Sequence, residues 1–268
     1  MRNINSKIIT VLLSVLFIAT SCQRVPISGR KQLNLLPESN MVAMALTSYK
    51  EFLNVHPRSN DVKSTQMVKN VGANIANAVE RFITEKNLGE RIAGFEWEFN
   101  LVQDNTPNAW CMPGGKVVVY TGLLPIASND HLLAVVIGHE IAHAIARHGN
   151  ERMSQALLLQ LGSIALDVAL YEKPDQTRIL FQQAYGVTTK LAIALPYSRK
   201  HETEADQLGM IFMTMAGYNP EVAIEFWQRM VSSGGNKPPE FLSTHPSDEK
   251  RIQNLKDFLP EAMKYYRK

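Results

Sequence analysis

The chain has 268 residues, a formal charge of +3 and an ordinary apolar content of 45%. That length holds one sizeable domain or two small ones, and the composition excludes a disordered chain and a many-span membrane protein. So small a charge gives no reason to expect a nucleic-acid partner, and the two cysteines, Cys22 and Cys111, make no disulfide framework.

Met1 to Lys7 is short, polar and basic, and Ile8 to Ile18 is an apolar run of signal-peptide length, too short to span a bilayer. Ala19, Thr20 and Ser21 then precede Cys22, an order that resembles a bacterial lipobox with Ala19 where leucine is usual. Residues 1–21 are therefore read as a signal peptide and Cys22 as the acylated residue. A plain secretory signal with an incidental cysteine is the alternative. Several acyl chains would anchor the protein stably. Gln23 at the second mature position, with no acidic stretch after it, resembles a lipoprotein of the outer membrane that faces the periplasm. Residues 22–37 carry Pro, Gly, Ser and basic residues without apolar periodicity and read as a tether, leaving 38–268 as the domain.

Along that domain, apolar residues recur at helical spacing over Glu38 to Val55 and again over Val62 to Ile83. Phe95, Trp97, Phe99 and Leu101 alternate and predict a strand with one buried face. Val117 to Tyr120 is a β-branched run after Pro113-Gly114-Gly115, so two strands flank a Gly-rich turn. From Asn129 the pattern is helical almost to the end, with breaks near Lys173-Pro174-Asp175, Ala216-Gly217-Tyr218 and Ser233 to Pro239. Ala156 to Tyr171 is apolar but interrupted by Gln160 and Asp167, which predicts a helix buried in the core rather than a membrane segment. The fold class expected is mainly α with a small β-sheet or hairpin.

The chemistry concentrates at His139-Glu140-Ile141-Ala142-His143. Residues four apart on a helix share a face, so both imidazoles can reach one zinc ion. Glu140, beside the first ligand, can act as general base on a water bound at the open fourth position. The motif also arises by chance, but Leu132, Leu133, Val135, Val136, Ile141 and Ile145 surround it. Two histidines and a glutamate on so apolar a helix are costly to bury unless something satisfies them. A third ligand is needed. His148 falls off the ligand face and reads as a surface or helix-end residue. Glu202, with Asp206 four residues later to hold a ligand imidazole, is the better candidate. Glu204 reads as solvated, and an exposed acidic helix face remains the alternative for the whole cluster.

Four blocks then resemble metallopeptidase family forty-eight, that of the CAAX prenyl proteases and HtpX. They are Asn108-Ala109-Trp110-Cys111-Met112-Pro113-Gly114-Gly115; Gly138-His139-Glu140 through His143 with Arg147-His148; Arg199 with Glu202, Ala205 and Asp206; and Ser243-Thr244-His245-Pro246 with Arg251. The resemblance implies a zincin, gluzincin-like domain binding one Zn2+ through His139, His143 and Glu202, with Asp206 behind a ligand. It implies that His245 and Arg251 stabilise the oxyanion, although in some members of the BepA type the equivalent histidine binds zinc and holds the enzyme latent. It further implies that Asn108, Ala109, Gly114 and Gly115 belong to an edge strand and turn that take an extended substrate. A purely structural hairpin is the alternative.

The chain departs from the prenyl proteases and HtpX, which have several membrane spans, so a prenylated substrate is not expected. It resembles instead the small LoiP-like lipoproteins, without the C-terminal repeats of the BepA type. The expected activity is a zinc endopeptidase acting on misfolded or misassembled cell-envelope polypeptides. A latent, chaperone-like assembly factor for outer-membrane proteins is the rival, and a metal-binding lipoprotein without hydrolysis is a weaker one.

Overall fold

The computed structural model describes residues 22–169, 195–233 and 249–266, together with 171, 179, 182, 183, 241, 242 and 245. Met1 to Ser21, and with them the expected signal peptide, lie outside the described residues, as do the breaks at Lys173-Pro174-Asp175 and within 234–239. Seven helices and five strands are described, so the protein is mostly helical with small sheets. The chain divides into two compact units, Met1–Glu38 with Arg147–Pro196, and Ser39–Ala146 with Tyr197–Lys268.

The larger unit is built on a three-stranded sheet of β3 (Glu98–Val102), β4 (Ala109–Met112) and β5 (Lys116–Tyr120), in the order β3-β5-β4. β3 runs parallel to β5, with Glu98 opposite Lys116, and β4 runs antiparallel to it, with Ala109 opposite Val119. Gly114 (φ 89°) and Gly115 (φ 80°) make the turn between β4 and β5. A Cβ on Gly115 would stand 2.9 Å from the Trp97 ring, so the turn needs glycine for space as well as for backbone angle.

Helix α1 (Glu38–Val55) covers one face of the sheet, where Tyr49, Val102 and Val118 form a core with Phe52, Leu53 and Trp110 against it. On the other face lie α2 (Val62–Glu85), packed on β3, and α3 (Asp130–Ile145), packed on β4. Gly72 of α2 lets that helix close onto Phe99, because a Cβ there would come within 2.2 Å of the ring. The alternation over Phe95 to Leu101 predicts one buried face, but β3 is buried on both. Asn100 is tolerated beneath α1 because its amide donates to the Tyr49 hydroxyl.

α3 begins at Asn129, whose side chain accepts from the Leu132 N–H at 3.0 Å, and nearly all of it is buried. α5 (Leu195–Met215) approaches it at two glycines. A Cβ on Gly138 would lie 2.9 Å from the Gly209 carbonyl oxygen, and one on Gly209 would lie 2.9 Å from the His139 nitrogen. Backbone therefore meets backbone, which sets the chemistry of the two helices side by side. α6 (Val222–Ser232) packs on α3, and α7 (Glu249–Met263) packs on α6.

The smaller unit corrects three expectations. Residues expected to form a tether instead make an antiparallel hairpin of β1 (Cys22–Arg24) and β2 (Lys31–Leu33), with Val25 buried. It is fastened to α4 (His148–Ala169): Arg30 grips the buried Glu151 carboxylate at 2.6 and 2.8 Å, and the Leu35 N–H donates to Ser154 at 2.8 Å. Polar bonds rather than apolar periodicity order this segment, so periodicity could not show it. His148, read as a surface or helix-end residue, does start the helix but is fully buried. The apolar stretch read as a core helix is exposed instead, with Leu161 and Ile164 both 53% accessible and Val168 72%. The face that α4 buries is its polar first turns, Asn150, Glu151 and Ser154, and the leucines extend past it.

Candidate active site

α3 carries His139 and His143 one turn apart, and their Nε2 atoms stand 3.1 Å from each other. Glu202, on the facing stretch of α5, directs Oε1 to within 3.3 Å of His143 Nε2 and Oε2 to within 3.4 Å of His139 Nε2. Ligands about 2.0–2.1 Å from a tetrahedral zinc ion sit roughly 3.3–3.4 Å apart, so these three side chains suit such an ion in both chemistry and spacing. Asp206, one turn beyond Glu202, places Oδ1 3.0 Å from His139 Nδ1. It accepts that ring N–H and leaves Nε2 as the lone-pair donor. His245 brings Nδ1 within 3.1 Å of His139 Nε2 and 3.0 Å of Glu202 Oε2. One ligand atom from each of His139, His143, Glu202 and His245 thus falls within 4.8 Å of the others.

Electrostatics reflect this crowding. Burial alone would raise the Glu202 carboxyl, but His143 and the neighbouring ring N–H groups overcome it and hold it far below the usual range. Burial likewise opposes ionisation of Asp206, and Arg251 with His139 outweighs it, so that carboxyl is lowered too. Burial disfavours a charged His139 ring, but Asp206 and Glu202 prevail and raise it to about 9. Glu140 goes the other way: burial raises it, against the nearby histidines. Its Oε1 is buried without a hydrogen bond among the described residues, and His245 Nε2 lies 3.4 Å away.

Arg251 is fully engaged from α7. Its Nε and Nη2 donate to Asp206 at 2.8 and 2.7 Å, and Nη1 reaches Glu202 at 3.2 Å and the His245 carbonyl at 3.2 Å. The guanidinium carbon lies over the Trp227 ring, 3.3 Å from its centroid. Trp227 also meets the His139 ring edge-on at 5.6 Å. Nothing in the sequence singled out Trp227: with Phe226 it reads as the core stripe of an amphipathic helix, and only packing reveals what it supports. Glu204, read as solvated, is buried at 5% exposure, as is His201 at 3%. Both faces of α5 are covered around Glu202.

β4 is the sheet edge next to α3. Within it Cys111 is half-buried, and burial together with the Glu140 charge pushes its thiol up. Asn108 and Ala109 lead into the strand, the Asn108 carbonyl accepting from the Tyr120 N–H at 3.0 Å. Gly114 and Gly115 accept from Glu96 and Glu98 at 2.9 and 3.0 Å, so their carbonyls belong to the sheet. Ser243, Thr244 and Pro246 lie outside the described residues.

A buried helix carrying two histidines and a glutamate, completed by a glutamate from a second helix, defines a metallopeptidase. The chain belongs to peptidase family M48, whose sequence profile matches residues 70–259. It is 31% identical to the mitochondrial metalloendopeptidase OMA1 of Schizosaccharomyces pombe, over 91% of this chain and 68% of that one. It is 38% identical to OMA1 of Saccharomyces cerevisiae over 65% of this chain and 50% of that one. The beta-barrel assembly-enhancing protease of Escherichia coli is 24% identical over 75% of this chain and 40% of its own length. The chain thus spans about two-fifths to two-thirds of the length of these relatives.

These likenesses overturn the expected location. Both yeast relatives are named as mitochondrial, so an outer-membrane, periplasm-facing placement does not stand. The lipobox-like order before Cys22 could not decide it, because a short basic and apolar leader is a composition, not an address. Among the described residues no helix is long and apolar enough to cross a membrane.

Proposed function

We propose that this chain hydrolyses internal peptide bonds of extended polypeptides, with Glu140 as the general base. The observation that carries the reading is the buried Glu140 Oε1, without a hydrogen bond among the described residues, beside the triangle of His139, His143 and Glu202. A zinc ion held by those three residues supplies Lewis acidity toward a carbonyl oxygen and toward water. Glu140 takes a proton from the attacking water as its oxygen joins the scissile carbon. It then delivers that proton to the departing amine nitrogen as the C–N bond breaks. The raised affinity of Glu140 for protons suits both steps. β4 offers its open edge to the substrate backbone, with Asn108 and Ala109 at its start, while Gly114 and Gly115 shape the turn.

Asp206 holds His139 in one tautomer. Arg251 is a positioning residue in this reading, because its donors are turned to Asp206, Glu202 and the His245 carbonyl rather than toward an oxyanion. A second reading rests on His245: its Nδ1 stands among the ligand atoms, where it can fill the fourth position and keep the resting enzyme latent.

Purified protein, its Glu140→Gln variant and its His245→Ala variant, assayed for zinc content and casein cleavage, test both. Glu140→Gln is expected to keep its zinc and lose between about a hundredfold and ten-thousandfold in kcat. Equal cleavage by wild type and Glu140→Gln would remove Glu140 from the mechanism. A more active His245→Ala marks latency; a slower one places His245 at the reacting carbonyl.

A further inference from the structure

The sheet has a second edge, on the side away from β4. β3 bonds to β5 through alternate residues, the Glu98 N–H donating to the Gly115 carbonyl at 3.0 Å. The intervening residues turn their backbone groups outward. At the far end the chain covers them itself: Ser59 N–H donates to the Leu101 carbonyl and Gln103 N–H to the Pro57 carbonyl, each at 2.8 Å, and Arg58 forms an antiparallel bridge with Val102. Cover then stops, because Asp61 accepts from the Ser64 N–H at 3.0 Å and turns the chain into α2.

Beside the remaining edge, at Trp97 to Phe99, is a groove of about 670 Å³. Its other wall is one stripe of α2, where Ala73 and Ala76 are small and leave room, between Lys69 and Asn77. Thr65, whose hydroxyl is buried without a hydrogen-bond partner among the described residues, lines it too. Of its charged groups, Arg58 and Lys69 are basic. Glu98, the acidic one, lies 3.8 Å from Lys116 and 4.0 Å from Arg58. The groove therefore combines strand backbone without a partner among the described residues, space for side chains and a basic rim.

We propose that this groove takes an extended, acidic stretch of an unfolded polypeptide, added to β3 antiparallel and continuing where Ser59 leaves off. Resting on the reading of β4 as the edge for the segment to be cut, the sheet then grips one long substrate at both edges. The β3 groove favours unfolded chains over short peptides that fill only the active-site edge. Residues 57–59 show that this edge accepts an antiparallel strand, and Lys69 with Arg58 selects the acidic partner.

Lys69→Glu and Ala73→Trp test this, both positions being exposed on α2, with circular dichroism to verify folding. Binding of labelled, reduced and carboxymethylated α-lactalbumin is followed by anisotropy in the Glu140→Gln background. Cleavage of that protein and of a short quenched peptide is compared with Glu140 intact. Each variant is expected to bind the unfolded protein about tenfold more weakly, to raise its KM without changing kcat, and to cleave the short peptide as wild type does. Unchanged binding in both variants overturns the proposal, as does an equal loss on both substrates. If sedimentation shows a dimer that Ala73→Trp dissolves, the occupant is a second copy and the proposal also falls. If wild type cleaves nothing, the anisotropy comparison still decides the groove, while the peptidase reading fails on its own.

Discussion

α3 and α4 follow one another in the chain and are both rich in apolar residues, yet their surroundings are opposite. α3 is buried almost throughout, including His139 at 2% and Glu140 at 4% exposure. α4 buries His148, Asn150, Glu151 and Ser154 and shows Leu157, Leu161, Ile164 and Val168 to solvent. Apolar content therefore does not decide which helix becomes core. What decides is which faces find partners. α3 has the sheet, α2 and α6 around it and meets α5 at glycine. The hairpin of β1 and β2 meets α4 through ion pairs and hydrogen bonds at its first turns. A charged or polar group is tolerated where it is bonded, whatever the average character of its helix.

The contrast can be broken most forcefully at Gly138. Substitution to alanine drives a Cβ to 2.9 Å from the Gly209 carbonyl, a backbone group that cannot swing aside. Gly138→Ala is expected to cost about 1–3 kcal/mol in urea unfolding and to weaken zinc retention, since Glu202 would be carried away from His139. A variant as stable and as zinc-rich as wild type would mean that the close approach does not set the site.

A smaller effect concerns proton uptake. Because burial raises Glu140 above its ordinary value of 4.5, the carboxylate needed as base is lost as pH falls through that raised value. The acidic limb of kcat/KM is thus expected above pH 4.5, with activity rising toward higher pH. A limb at or below the ordinary carboxylate range would argue that Glu140 is solvated in the working enzyme. The smallest effect belongs to α4. Leu161→Gln, at a side chain 53% exposed, is expected to change unfolding free energy by no more than about 0.5 kcal/mol. A loss of several times that would show that this leucine face is covered in solution.

The sequence alone determined much of the frame. Helices at Glu38–Val55 and Val62–Glu85 are legible because each buries a stripe, such as Val68, Val71, Ile75, Val79 and Phe82 of α2, and a stripe leaves a period. His139, Glu140 and His143 are legible because their geometry is local to one helix. Glu202 and Asp206 are half-legible: their spacing fits a ligand and its support, but an exposed acidic face has the same spacing. Tertiary structure decided the rest. It brought α3 and α5 together at Gly138 and Gly209, laid Arg251 between Trp227 and Asp206, buried Glu204 and left the leucines of α4 outside. None of these leaves a local signal, because each depends on what a distant segment presents, and burial is a property of the pair of surfaces rather than of either sequence.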